Sequence, residues 1–280
     1  MEQDKIPYGV DFAADAARIL DEAKIPSVLM GWLAMCLYKR PNDFGDITLV
    51  IPDDLIDSAK NALLDKYPLC TDRDCMELEE KRPGHPKFHY GDHQLTRHPK
   101  PEHHFHARVY EIIYLVRQSD FLWWLPNIPL ELPDKNDLHL TVTTDEALRS
   151  PGPWLGKHPV RVLKPSSFVE ALLYLWMRDF RDPNSKMWLE WDNLAHRMKV
   201  DWDYNPEIPE SQKRLREEFQ RAWDYYCLRY PKSLDLYRHS SFETHRLGLL
   251  YLREKLIKED RFLSELPNVE LPKIKELEEV

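Results

Sequence analysis

Apolar positions recur along the chain with two periods, and the change from one to the other falls near residue 164. Before it, helix-like and strand-like segments alternate; after it, the helical spacing dominates. Phe12, Ala16, Ile19, Leu20 and Ala23 follow the 3.6-residue period of an amphipathic helix, with Asp11 placed to cap it and Pro26 to end it. Residues 27–30 read as a short buried strand, Gly31 as a tight exit, and 32–38 as a short helix stopped before Pro41. The β-rich run 46–51 ends at Pro52, after which Asp53 is placed to cap a helix through Leu55, Ala59, Leu63 and Tyr67. Residues 76–81 and 87–90 are weaker strand candidates around the Arg82-Pro83-Gly84 turn, 108–116 is a strong one, and together they read as a meander. Further strands are expected at 138–143 and 160–163, separated by a loop rich in proline and glycine.

Pro165 then opens a helix with Phe168, Leu172, Leu175 and Trp176 on its apolar side. Helical spacing returns at 187–198, at Leu215, Phe219, Trp223 and Tyr226, and at 242–262. From residue 264 the chain is rich in Pro and Glu and reads as a loosely docked tail. The expectation is an α+β fold: an αβ domain over 1–163 with a mixed sheet flanked by helices, a helical domain over 164–263, and the tail 264–280.

Composition narrows the chemistry. Eight glycines in 280 residues, with no G-x-G spacing, exclude the glycine-rich loops that cradle pyrophosphate in Rossmann and P-loop proteins. Neither a GxSxG elbow nor an HExxH helix occurs. The four cysteines form no CxxC pair and read as free thiols, which points to a reducing, cytoplasmic setting. The most apolar stretch, 168–177, is too short to span a membrane and carries Glu170. A formal charge of −9 argues against broad nucleic-acid binding, which needs clustered cations to displace counterions from phosphates.

The segment 28–51, VLMGWLAMCLYKRPNDFGDITLVI, resembles the opening of the nucleotidyltransferase (polymerase β-like) fold: a strand ending in glycine, a short helix, and an Arg-containing loop leading to an Asp-x-Asp strand. The stretch 160–179, VRVLKPSSFVEALLYLWMRD, is similar to a strand-to-helix junction in uncharacterised, largely fungal members of that superfamily. The resemblance implies a transferase in which the two acids, joined by a third carboxylate on a later strand, hold Mg²⁺ ions against nucleotide phosphates. Residues i and i+2 of a strand project to one face, so both acids meet the same metals. Matched to this chain, Asp46 takes the first acidic position and Thr48 the second, so the motif is degenerate. Threonine brings one neutral oxygen where a hard divalent cation wants a carboxylate. Gly31 is followed by Trp32, whose bulk stands where phosphates approach the helix N-terminus in the family.

Glu111, inside an apolar strand, is the candidate third carboxylate and would hold Mg²⁺ with Asp46; the alternative is a salt bridge to Arg108 or Arg161. Asp43 is a candidate replacement for the missing acid, or a loop residue. Arg40 is placed to orient an anionic group of a ligand, with an exposed loop cation as the ordinary alternative. Seven of twelve histidines fall within 85–106, a segment expected to border the site as a loop or pH-sensitive lid. A metal is the other reading, since His104 and His106 would share a strand face if that strand starts early, though no zinc spacing is matched. Trp123-Trp124 and Trp188/Trp191 read as packing, the first pair also as a pocket wall.

Three functions follow. The first is a nucleotidyltransferase-like protein acting on a small molecule with Asp46, Glu111 and Thr48 at a weakened Mg²⁺ site and Gly31, Trp32, Arg40 and Asp43 lining it. The second is a silent relative that binds a nucleotide-like ligand or a partner protein. The third is a cleft repurposed for acyl or amino-acid transfer, with carboxylates and histidines as acids and bases.

Overall fold

Short aliphatic strands with no exposed face need cover on both sides, and the chain supplies it with helices. The computed structural model describes residues 9–38, 47–71, 101–108, 111–148, 152–180, 187–204, 213–227 and 247–262. Helix α1 (Val10–Glu22) precedes β1 (Val28–Met30), α2 (Gly31–Met35) and β2 (Ile47–Ile51). Then come α3 (Ile56–Leu64), β3 (His103–Arg108), β4 (Glu111–Arg117), α4 (Gln118–Phe121), β5 (Leu140–Val142) and β6 (Arg161–Leu163). Helices α5 (Pro165–Asp179), α6 (Met187–Tyr204), α7 (Glu217–Tyr226) and α8 (Leu247–Lys258) follow among the described residues.

The six strands form one sheet in the order β3-β4-β2-β1-β6-β5. β1 runs antiparallel to β2 and parallel to β6, β2 runs parallel to β4, and the outer pairs β3/β4 and β5/β6 are antiparallel. The sheet is therefore mixed and the fold α+β, with a mainly helical second half. One contiguous apolar core runs from Val10 to Phe262 and takes in α1, α3, the sheet and the helices from α5 onward, crossing residue 164 without a break.

Local chemistry explains where several elements stop. Helix α1 ends in a Schellman arrangement: Lys24 adopts a left-handed φ of 63°, its N–H donates to the Asp21 carbonyl, and the Ile25 N–H donates to that of Leu20. Asp260 (φ 54°) closes α8 in the same way, with Arg261 bonded to Leu256. Pro165 occupies the first turn of α5, where its missing N–H costs nothing.

Three expectations need correction. Asp11 does not cap α1; left-handed Gly9 (φ 93°) does, and Asp11 lies in the first turn and pairs with Lys157. Asp53 does not cap α3 either, because a 3₁₀ turn over Asp53–Leu55 intervenes and its Oδ1 accepts from the Ser119 N–H at 3.0 Å, tying this corner to α4. The strand expected at 108–116 forms as β4, but the His-rich stretch before it, expected as a loop or lid, ends in a further strand, β3, paired antiparallel with β4 with an irregular register between His106 and Arg108. The candidates at 76–81 and 87–90 and the tail 264–280 lie outside the described residues.

A buried cation anchors the far side of the sheet. Arg161 on β6 is 1% exposed, donates to Asp21 of α1 at 2.7 Å, and reaches the carbonyls of Leu130 and Glu131. His158 Nε2 lies 2.8 Å from the other Asp21 oxygen. In the helical half Glu170, 3% exposed, accepts from the backbone N–H and Nε of Arg216, each at 2.7 Å. Removing one member of such a pair strands the other in a medium that cannot solvate it. Asp21→Ala is expected to cost about 3–5 kcal/mol in urea denaturation; a loss below about 1 kcal/mol, the value of a surface pair, would show that Arg161 is solvated by other means.

Candidate functional site

The junction that carries the resemblance is formed as the pattern implied: β1, a glycine turn, the short helix α2, and β2 returning antiparallel beside β1. Gly31 has φ +75°, a left-handed conformation that costs an L-residue with a side chain, and it starts α2 directly from extended Met30. A Cβ at Gly31 would stand 3.5 Å from the Thr48 hydroxyl oxygen, so the turn sits over Thr48. Met30 and Thr48 are register partners. The hydroxyl expected at the second acidic position is thus directly beneath the glycine turn, and Thr48 is 8% exposed.

Trp32 is tied across to the helical half. Its indole N–H donates to the Glu190 carboxylate of α6, and the Arg197 guanidinium lies 4.9 Å from its ring centroid. The side chain expected to line a ligand site therefore also forms the contact between α2 and α6. Asp46, Arg40 and Asp43 lie outside the described residues.

Strand register places the other expected acid. Ile47 pairs with Ile113 and Thr48 with Tyr114, so Glu111 starts β4 at the end of the sheet where β2 also starts. Along a pleated strand alternate residues share a face. Glu111 is in phase with Ile113 and Leu115, whereas Thr48 is in phase with Tyr114 and Ile112. The suggested salt-bridge partner Arg161 is engaged by Asp21, and Arg108 is the register partner of Glu111 across the β3/β4 pair. Among the described residues no cage of carboxylates forms around Thr48, whose single neutral oxygen does not suit Mg²⁺.

The same register carries the Thr48 face outward. His104 pairs with Tyr114, and Tyr114 with Thr48. Residues directly opposite one another share a face, so His104, Tyr114, Thr48 and Met30 make a row across four strands. His106 lies on that face too, two residues along, its ring centroid 5.4 Å from that of His104. They share a face because they belong to a strand of their own, β3, and not because the strand expected at 108–116 starts early. Beyond β3, Leu69 bridges Phe105, the Cys70 N–H donates to the His104 carbonyl at 3.0 Å, and the His106 N–H donates to the Pro68 carbonyl at 3.2 Å. Cys70 thereby joins the row, and ligating atoms of Cys70, His104 and His106 come within 4.8 Å of one another.

Comparison with known proteins adds little. No family model matches the chain, and no curated protein matches it. A solved structure similar to it is that of an antigenic nucleotidyltransferase-like protein from Paracoccidioides brasiliensis, 12% identical, covering 73% of this chain and 85% of that one at a TM-score of 0.37. So loose a likeness carries no argument about the site, and the α+β description rests on strand order and register. No helix among the described residues is long and apolar enough to cross a membrane.

The tryptophans in and against the helical half pack. Trp124 stacks on Tyr174 at 5.6 Å, Tyr174 on Phe262 at 5.8 Å, and Arg216 inserts its cation among Trp124, Tyr174 and Phe219. Trp191 is buried and donates to Asp179 at 2.6 Å, while Trp188 meets Phe180 edge-on. His139, beside Trp124, has its Nδ1 3.2 Å from the Ser167 hydroxyl. Burial, aided by the positive field of Arg216, pushes the His139 imidazole below its ordinary value of 6.5.

Two outcomes follow. Gly31→Ala is expected to destabilise by about 1–2 kcal/mol in chemical denaturation, the cost of a left-handed L-residue; an unchanged midpoint would mean the turn relaxes freely. Because the folded state holds His139 neutral while the unfolded chain protonates near 6.5, its contribution is intact above that pH and declines as pH falls below it. Urea midpoints measured from pH 8 to pH 5 should therefore fall less in His139→Gln than in the parent chain, and identical slopes would sink the assignment.

Proposed function

We propose that this chain is a nucleotidyltransferase-like protein that has lost two-metal transfer chemistry and binds a nucleotide-like ligand at the Gly31 end of β1 and β2. The observation that carries this reading is Thr48, in place of the second acid, directly under the Gly31 turn. Two-metal catalysis requires carboxylates that converge on one pair of ions, because only charged oxygens offset the dehydration of Mg²⁺. Trp32, held by Glu190 and Arg197, supplies an aromatic side chain that would link a ligand at this turn to the position of α6.

Calorimetric titration with ATP and GTP, with and without Mg²⁺, tests the reading on the parent chain, on Asp46→Ala and on Trp32→Ala. Binding that does not need Mg²⁺, survives Asp46→Ala and weakens at least about tenfold in Trp32→Ala is expected, a loss of roughly 1.4 kcal/mol. Magnesium-dependent binding abolished by Asp46→Ala would restore the transferase reading with Asp46 at the metal. Absence of binding under every condition would overturn the ligand assignment.

A further inference from the structure

We propose that Cys70, His104 and His106 form a zinc site at the β3 edge of the sheet, with three protein ligands and a fourth position open to water or an exogenous ligand. The site stands apart from the Gly31 turn and does not rest on the function proposed there: two strand spacings, about 10 Å, separate His104 from Thr48 across the sheet.

The backbone builds the triangle. His104 and His106 are alternate residues of β3 and so share a face, and Phe105 between them is buried in the core on the other side. The bridge from Leu69 to Phe105 sets Cys70 opposite His104, on that same face. His103, one residue out of phase, instead approaches Asp57 of α3 at 3.3 Å, so alternation separates the two histidines of the cluster from their neighbour. Both backbone bonds to the 68–70 segment are made without any contribution from the three side chains, which leaves thiol and imidazoles positioned by the sheet.

The donor set selects the ion. One sulfur and two imidazole nitrogens suit a borderline-soft cation, and with no carboxylate among them they do not suit Mg²⁺ or Ca²⁺. Around tetrahedral zinc, ligand atoms stand about 3.3–3.6 Å apart, given bonds of about 2.0–2.3 Å. Ligating atoms already within 4.8 Å of one another reach that spacing by small side-chain rotations. Binding deprotonates Cys70, the proton passing to solvent, and the thiolate and two neutral imidazoles then bond the ion. His104 is buried while Cys70 and His106 are half-buried, so the ion has a dry side against the sheet and an accessible side. Three protein ligands with one accessible position is the arrangement in which zinc polarises a bound water.

The test uses the full chain, freed of metal by a chelator. Zn²⁺ is titrated in competition with a chromophoric chelator, and Co²⁺ is added separately as a spectroscopic probe. Expected are one equivalent of zinc and, with Co²⁺, the intense near-ultraviolet band of a cobalt–thiolate bond. Cys70→Ser should abolish that band, and Cys70→Ser and His106→Asn should each weaken zinc binding at least about 100-fold, the upper end of what loss of a supporting residue does. Cys36→Ser and Cys227→Ser should change neither readout. Circular dichroism on each metal-free variant separates loss of a ligand from loss of fold, and the cobalt band of the parent chain tests the site without any substitution. No stoichiometric binding, binding without a thiolate band, or affinity unchanged in both Cys70→Ser and His106→Asn would overturn the proposal.

Discussion

A guanidinium withdrawn from water must be met on every side, and Arg161 imposes that condition on the centre of the fold. It sits on β6, beside β1, and its hydrogen bonds draw together the last turn of α1 and the chain at residues 130 and 131. Because the Coulombic attraction offsets the lost hydration only at close, well-aligned contact, α1 has one position in which Asp21 reaches both Arg161 and His158. That position sets the α1 cover over the sheet, and the β1/β6 pairing in turn sets where β1 ends and Gly31 turns. Glu170 and Arg216 act likewise among the helices, where the cation also stacks within an aromatic group that would otherwise have no directional contact.

The consequences reach the functional surface through the sheet. A strand transmits position with a period of two, so one register choice decides the face of every residue along it. Pairing Met30 with Thr48, Thr48 with Tyr114, and Tyr114 with His104 gives the sheet a polar row that starts at the glycine turn and ends at Cys70. Ile112 and Tyr114 are buried on that side, yet among the described residues they do not join the contiguous core. The side opposite, with Phe105, Ile113 and Leu115, belongs to the core. Met30, Val50 and Val116 on the Thr48 side belong to it too, so both faces of the sheet contribute to the core.

Much of this was legible residue by residue. β2 and β6 read correctly because aliphatic runs bounded by proline and loop residues have few other fates, and Pro165 announced α5 because proline fits a first helical turn and little else. The pair β3/β4 was half missed. His103, His104 and His106 look polar, so a strand with one core-facing Phe105 between histidines reads as loop. An acid before an apolar period is the usual cap signal, but at Asp11 and Asp53 Gly9 and a 3₁₀ turn take the role, and both acids bond partners far away in sequence.

Residue type and spacing set the alternation of elements and the glycine turn, since each follows from its neighbours along the chain. Which distant groups meet is a matter of packing across the whole chain. Cys70 is separated from His104 by more than thirty positions, and no local period links them; a single bridge at a sheet edge does. Trp32 and Glu190 come from opposite halves of the chain and meet because α6 lies across α2. Register and helix packing are cooperative properties of the whole core, and they set faces and contacts that no window of sequence contains.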